Sequence, residues 1–385
     1  MRTLKCVLTV LVLSCATLIS TPAAEKEWLA YFGTYTGKKS KGIYVARFNP
    51  KTGKLSAPEL AAEALSPSFL AVHQKGKWLY AVNEIDTFSG KKAGGVSGFE
   101  IDAKSGKLTP INQQSTAGGA PCHVSLDESG RVVLVANYGG GSVASYRVDK
   151  KGVLSSDVTF IQHQGSSVNR ARQEAPHGHC IVTDPGNKFA LACDLGLDKV
   201  LIYKLDTKKG ALTPNDPPFG RVTPGSGPRH MAFHPSGRFA WVINEMVCTV
   251  TSFSFDPKRG ELKELQSIST LPADTKMIGA YSTAEIVTHP SGKFVYGSNR
   301  GHDTLAVYAV DEKQGTLTLV EHVSTQGKTP RSFGIDPSGR WLLAANQSSD
   351  TVVVFAIDAA TGKLKPTGQS IEVGSPVSVV FAPAR

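Results

Sequence analysis

Cysteine is scarce: the 385-residue chain has 6, and beyond an apolar N-terminal stretch only Cys122, Cys180, Cys193 and Cys248 remain. That number cannot staple a chain of this size, which excludes a disulfide framework. No Cys/His spacing suits zinc, so no metal is expected; the four are read as small buried hydrophobes. Charged residues are also few, at 19%, against the usual quarter. Hydrophobic residues at 41% can still fill a core, which excludes global disorder. Helical periodicity is weak throughout, and no run after residue 24 is long enough to span a bilayer. There is no Gly-x-Ser-x-Gly elbow and no dinucleotide fingerprint. Serine-nucleophile chemistry and cofactor-borne redox chemistry therefore have no support, and no cofactor is expected.

The first 24 residues read as a secretory signal peptide: Arg2 and Lys5, an apolar stretch from Val7 to Ile19, then Thr21-Pro22-Ala23-Ala24. An exported chain is expected, with residues 25–385 forming one domain. Val12-Leu13-Ser14-Cys15 loosely resembles a bacterial lipobox, which makes Cys15 a candidate lipid anchor, although the apolar run continues past it. Lys and Arg exceed Asp and Glu by 10. The excess suits an anionic ligand or a solvated surface. It is scattered rather than striped, so no nucleic-acid partner is expected.

What the chain does have is glycine, 38 residues, proline, 22, and a repeat. The tag Gly-x-Leu returns at Gly53, Gly106, Gly152, Gly210, Gly260, Gly315 and Gly362, about every 51 residues. Each period holds four short alternating strands. In one, Pro228 to Phe233 is followed by a Pro235-Ser236-Gly237 turn, a strand from Arg238 to Ile243 and a third from Val250 to Phe255. Seven such units predict an all-β, seven-bladed propeller with four-stranded blades. Trp28 to Tyr35 matches a second strand and lacks a first, while Pro376 to Phe381 matches a first strand with nothing after it. The C-terminal strand is therefore expected to close the ring.

Aligning the repeats on the turn glycines Gly76, Gly130, Gly186, Gly237, Gly292 and Gly339 exposes two columns. Seven residues after the glycine come Asn83, Asn137, Cys193, Asn244, Asn299 and Asn346, a strand-end signal. The next position varies in chemistry: Glu84, Tyr138, Asp194, Glu245, Arg300 and Gln347. Seven residues before the glycine stand Phe69, His123, His179, His230, Glu285 and Ser332, with Arg229 and Arg331 one residue earlier. First strands start, and second strands end, at the same mouth of the ring. Arg229, His230, Glu245, Glu285, Arg300, Arg331, His179, Asp194, His123 and Glu84 should therefore converge on one opening. For each residue singly, the bland alternative is a polar pair satisfying itself in a watery channel. Together, histidines and carboxylates offer a general base with an orienting partner, and arginines offer clamps for an anion and a developing oxyanion. Water addition to an anionic, oxygen-rich ester, or its reverse, is the chemistry that fits.

Several segments carry a resemblance: Tyr31-Phe32-Gly33-Thr34-Tyr35-Thr36, Arg172-Gln173-Glu174-Ala175-Pro176-His177-Gly178-His179, Asp194-Leu195-Gly196-Leu197-Asp198, Gly227-Pro228-Arg229-His230, Asn244-Glu245 and Asn299-Arg300. Through them the chain resembles the seven-bladed lactonase family of bacterial 6-phosphogluconolactonases and fungal carboxymuconate cyclases. The resemblance implies catalysis by a His, an Arg, a Glu and a second Arg at the channel mouth. These fall on His179 (or His177), Arg229, Glu245 and Arg300. His177, His230, Glu285, Arg331, Asp194 and His123 are then the candidate substrate-binding residues around them. The implied substrate is a small sugar-type, anionic lactone, with Glu245 or His179 activating water. A muconate-type cycloisomerase and a non-catalytic exported propeller binding carbohydrate or protein are the competing readings. The export signal departs from cytoplasmic sugar metabolism and leaves the particular lactone open.

Overall fold

Each inner hairpin turns on a side chain that can satisfy the turn's own N–H groups. Asp127 Oδ1 accepts from the amides of Arg131 and Val132, both at 2.7 Å. Asp336 Oδ1 accepts from Arg340 and Trp341 at 2.9 and 2.8 Å, and His234 Nδ1 accepts from Ser236 at 3.0 Å. Three residues after this anchor the backbone turns left-handed, with φ between 63° and 77° at Gly76, Gly130, Gly237, Gly292 and Gly339. A side chain there would be strained, which is why glycine marks the repeat.

The computed structural model describes residues 27–385; the expected signal peptide and Cys15 lie outside the described residues. No described residue is helical. Six four-stranded antiparallel sheets follow one another along the chain. Their innermost strands are Leu70–Val72, Pro121–Leu126, Gly178–Thr183, Pro228–Phe233, Ser282–Thr288 and Pro330–Ile335. The seventh blade takes its inner strand from the C-terminus: Pro376–Pro383 pairs antiparallel with Trp28–Thr34, from Trp28 opposite Pro383 to Thr34 opposite Pro376. The expected seven-bladed ring and its closure are both present. One detail differs: the outer strand of the closing blade is broken into Lys54–Leu55 and Glu59–Glu63, on either side of Pro58, which has no N–H to donate to a ladder.

The core is a set of apolar layers between neighbouring blades. Trp241, Ile243 and Val250 of one blade pack on Ile286, Val295 and Tyr308 of the next, and Ala30, Phe32 and Phe48 of the closing blade pack on Leu343, Val352 and Val354. The Gly-x-Leu tag is the latch of each layer. In four of the seven tags the glycine carbonyl accepts from an aromatic side chain of the preceding blade, as from Tyr80 to Gly152 at 3.0 Å, Tyr296 to Gly362 at 2.8 Å and Trp241 to Gly315 at 3.2 Å; Ser145 serves Gly210 and Asn215 serves Gly260. A Cβ on Gly315 would lie 2.1 Å from the Phe239 ring, and one on Gly53 would lie 2.5 Å from Trp341. The repeat that announces the fold in the sequence is thus the surface on which each blade seats its neighbour.

Candidate active site

The mouth of the ring is built by a bulge. Asn244 faces Pro228 and Ile243 faces His230, so Arg229 is an extra residue with no partner in the ladder. The same bulge falls on Cys122, His179, Arg331 and Val377. Regular alternation would send two consecutive side chains to opposite faces. The bulge re-aims one of them, so that Arg229 and His230 both serve the channel, in two successive levels.

The upper level lines a cavity of about 380 Å³ with Glu84, Cys122, Tyr138, Arg172, His179, Glu245, Ser282, Arg300 and Arg331. Glu245 is its organising residue. Oε1 accepts from Arg172 at 2.7 Å, and Oε2 meets Arg229 Nε at 3.1 Å and an Arg300 terminal nitrogen at 3.0 Å. Burial works to raise this carboxyl, but Arg300 and Arg229, with Arg172, overcome it and hold it at about 2. Such a carboxylate is a weak base at neutral pH. Arg229 is 2% exposed and sits behind Glu245, its Nη1 also donating to the Ala284 carbonyl at 2.6 Å. Arg300 donates to the Thr283 carbonyl at 2.8 Å, and its Nε has no partner.

His179 is different. It is 4% exposed, and burial, then Arg229, His230 and Arg331, push it well below the ordinary histidine range. It is therefore neutral at physiological pH: a weakened base as well, but unlike Glu245 it is held in no ion pair among the described residues. Its Nδ1 lies 3.6 Å from Cys122 Sγ. Arg331 stands over the Tyr35 ring, 5.5 Å from its centroid, and has no carboxylate within salt-bridge distance among the described residues. Glu84 is occupied by Tyr35 and Ser68 hydroxyls at 2.9 and 2.5 Å.

The lower level plugs the axis. Phe69 stacks on His123 at 4.4 Å, and His230 meets the rings of His123 and His179, each at 5.2 Å. His230 Nδ1 is 2.7 Å from Glu285 Oε1. His123, His230 and Glu285 therefore do not line the mouth cavity: they lie beneath it, and in the blade of His123 the bulged residue before it, Cys122, takes the mouth.

Asp194 requires a larger correction. Gly186 is not the turn glycine of its blade; the left-handed position belongs to Asn187, with φ of 56°. Asn187 N–H donates to the Asp184 carbonyl as Gly237 N–H does to that of His234. The register of that blade slips by one residue. His179 takes the place of Arg229, Leu195 that of Glu245, and Asp194 that of the strand-end asparagines. Asp194 is fully buried, 2.6 Å from His163 Nδ1, and accepts from the amides of His177 and Leu197. It supports the blade. Aligning on Phe189, Phe239 and Phe294 rather than on glycine would have revealed the slip, since Asn also tolerates a left-handed backbone.

His177 stacks on Tyr138 at 4.6 Å and its Nδ1 donates to the Tyr138 carbonyl at 3.0 Å, so it steadies a wall residue. Arg172 is a further site residue, outside both repeat columns. It arrives on the loop before Gly178–Thr183, held by the buried Gln173, whose Nε2 donates to the Leu195 carbonyl at 2.8 Å. Nothing in the blade repeat points to a residue outside it.

Glu245 also sets an expectation for stability. Its carboxyl lies lower in the fold than its ordinary value of 4.5, so its contribution is complete above that value and is lost as pH falls toward 2. Glu245→Gln should lower stability at neutral pH by about 3–5 kcal/mol, because Arg229 is left buried without its counter-charge. Urea unfolding should show the gap to the wild type narrowing below pH 4.5; a gap constant down to pH 2 would contradict this assignment.

Residues 29–381 match the family model described as lactonase, 7-bladed beta-propeller. A protein of Bacillus subtilis (strain 168) named 6-phosphogluconolactonase is 38% identical over 355 residues, covering 92% of this chain and 98% of that one. One of Formosa agariphila with the same name is 34% identical over 354 residues, covering 91% and 98%. The solved structure of a Pseudomonas aeruginosa periplasmic gluconolactonase superimposes with a TM-score of 0.86 at 36% identity, covering 93% of this chain and 100% of that one.

Proposed function

The chain belongs to the seven-bladed β-propeller lactonase family, and from that premise we propose that it hydrolyses an anionic, sugar-type lactone at the mouth cavity. The observation that carries this reading is the make-up of one site: Arg172, Arg229, Arg300 and Arg331 against the carboxylates of Glu84 and Glu245, with a neutral His179 on the wall. Arginines exceed carboxylates, and Arg331 has no carboxylate of its own. A ligand carboxylate or phosphate would complete it.

In this reading His179 takes a proton from water as the oxygen adds to the lactone carbonyl. Arg300, with an Nε–H still without an acceptor, supports the tetrahedral oxyanion. Glu245 holds Arg172, Arg229 and Arg300 in place. The 6-phosphogluconolactonase relatives favour a phosphorylated or otherwise anionic sugar lactone. Nothing in the site favours the cycloisomerase or the non-catalytic reading. Residues 1–24 read as an export signal, in keeping with the periplasmic Pseudomonas relative, so the lactone would be met outside the cytoplasm.

Proton release from a panel of charged and uncharged lactones tests the reading. Arg331→Ala should raise KM about 10–100-fold on an anionic lactone, the loss of one charge-assisted contact, with turnover nearly unchanged and little effect on an uncharged lactone. An equal effect on both substrates would remove Arg331 from anion recognition. A panel on which the purified protein releases no protons would remove the activity.

A further inference from the structure

Opening a lactone adds water across the acyl C–O bond. One water proton ends on the former ring oxygen, and the new carboxyl ionises, so each turnover leaves one proton to be removed. The mouth is the direct way out, but a bound ligand covers it, and His179 lies on the cavity wall only 4% exposed.

The axis offers another way. Beneath the mouth cavity lies an enclosed void of about 10 Å³, with the polar walls Ser68, Glu84, Cys122, Arg229, His230 and Arg331 and the apolar walls Phe69 and Val377, enough for about one water. Glu84, Cys122 and Arg331 are shared walls of the two spaces. His230 spans the next gap: its Nδ1 is bonded to Glu285 at 2.7 Å, and its buried Nε2 has no partner. Glu285 in turn lines a funnel of about 420 Å³ on the far side of the plug, walled by Phe69, Val287, Ile335 and Val379. We propose that His230 and Glu285 conduct the proton released by lactone opening from the mouth cavity along the propeller axis to the opposite face, an inference that rests on the lactonase activity proposed above.

The ring can take a proton at Nε2 and yield the one on Nδ1 to Glu285; this leaves the proton on Nε2, so a half-turn of the ring or exchange of its tautomer must restore Nδ1–H before the next turnover. The groups facing His230 are Arg229, Cys180, His123, Arg331 and, ring to ring at 5.2 Å, His179; burial and then Arg229 push the imidazole well below the ordinary histidine range, so it holds a second proton only in passing. Those facing Glu285 are Arg229, His123, the Ile286 amide and the Ser332 hydroxyl, the last at 3.3 Å from Oε2. Burial raises the Glu285 carboxyl to about 7 against the pull of Arg229 and His123, which suits a group that loads and unloads near neutral pH. Neither His230 nor Glu285 lines the mouth cavity, so they do not touch the ligand and are positioning residues for the proton.

Glu285→Gln keeps the shape and removes the exchangeable acid. In dilute buffer it should lower turnover about ten-fold, with KM within about two-fold of wild type, and added imidazole, small enough for the funnel, should restore the rate. His230→Asn keeps a donor toward Glu285 but has no second titratable nitrogen, and should behave alike; it serves if the first variant does not fold. Wild-type turnover in dilute buffer, or a loss that imidazole leaves untouched and that appears in KM, would overturn the relay while the lactonase reading stands. A wild-type protein that opens no lactone would overturn both.

Discussion

His179→Ala should reduce lactone turnover by about 10²–10⁴-fold, the usual worth of a positioned general base, while Glu245→Gln should act first on stability and substrate affinity. The contrast comes from their surroundings. Glu245 is a carboxylate at about 2 with three arginine contacts, so its lone pairs are committed. His179 shares the cavity but is neutral, because burial and then Arg229, His230 and Arg331 disfavour its charged form. Its basic form is lost only as pH falls through a value well below 6.5. The pH–rate profile of the wild type should therefore stay level from neutral down past the ordinary histidine range. Wild-type turnover in His179→Ala, or a decline beginning above pH 6.5 that His179→Ala abolishes, would remove it as the base.

Removing the chain from Pro376 onward should cost at least about 5 kcal/mol, comparable to the whole stability of many domains. The truncated protein should lose its cooperative urea transition. Val377 and Ala382 of that strand are 2% and 0% exposed, and the strand pairs with Trp28–Thr34 along its length. Without it the closing blade lacks its inner strand and both neighbouring apolar layers are exposed. The mouth would go as well, since Val377 is a wall of the void beneath it. A truncated protein with an unshifted transition would mean that the ring does not depend on its closure.

Arg229 and His230 show where sequence reasoning stops. Their repeat position and chemistry are plain in the chain, and so is their place at one end of the ring. That one serves the mouth and the other the plug depends on a bulge, a pairing with another strand that period-two alternation does not contain. Asp194 departs from the mouth for a related reason: glycine marks the left-handed turn in the other blades, and Asn187 occupies that conformation in this one. Arg172 could not be reached from the repeat, because a loop between blades carries it to Glu245.

The number of blades, the place of the turns and the closure of the ring are legible in the chain, because they follow from local rules repeated around it: six anchored turns, alternating strands and seven Gly-x-Leu tags. The chemistry of the mouth is set by packing between blades. Whether a carboxyl is a base or an anchor, and whether a histidine is charged, depends on which charges stand within a few ångströms and how much water they have lost. Those neighbours come from separate blades, Glu245 with Arg300 and His179 with Arg331, and no spacing along the chain brings them together.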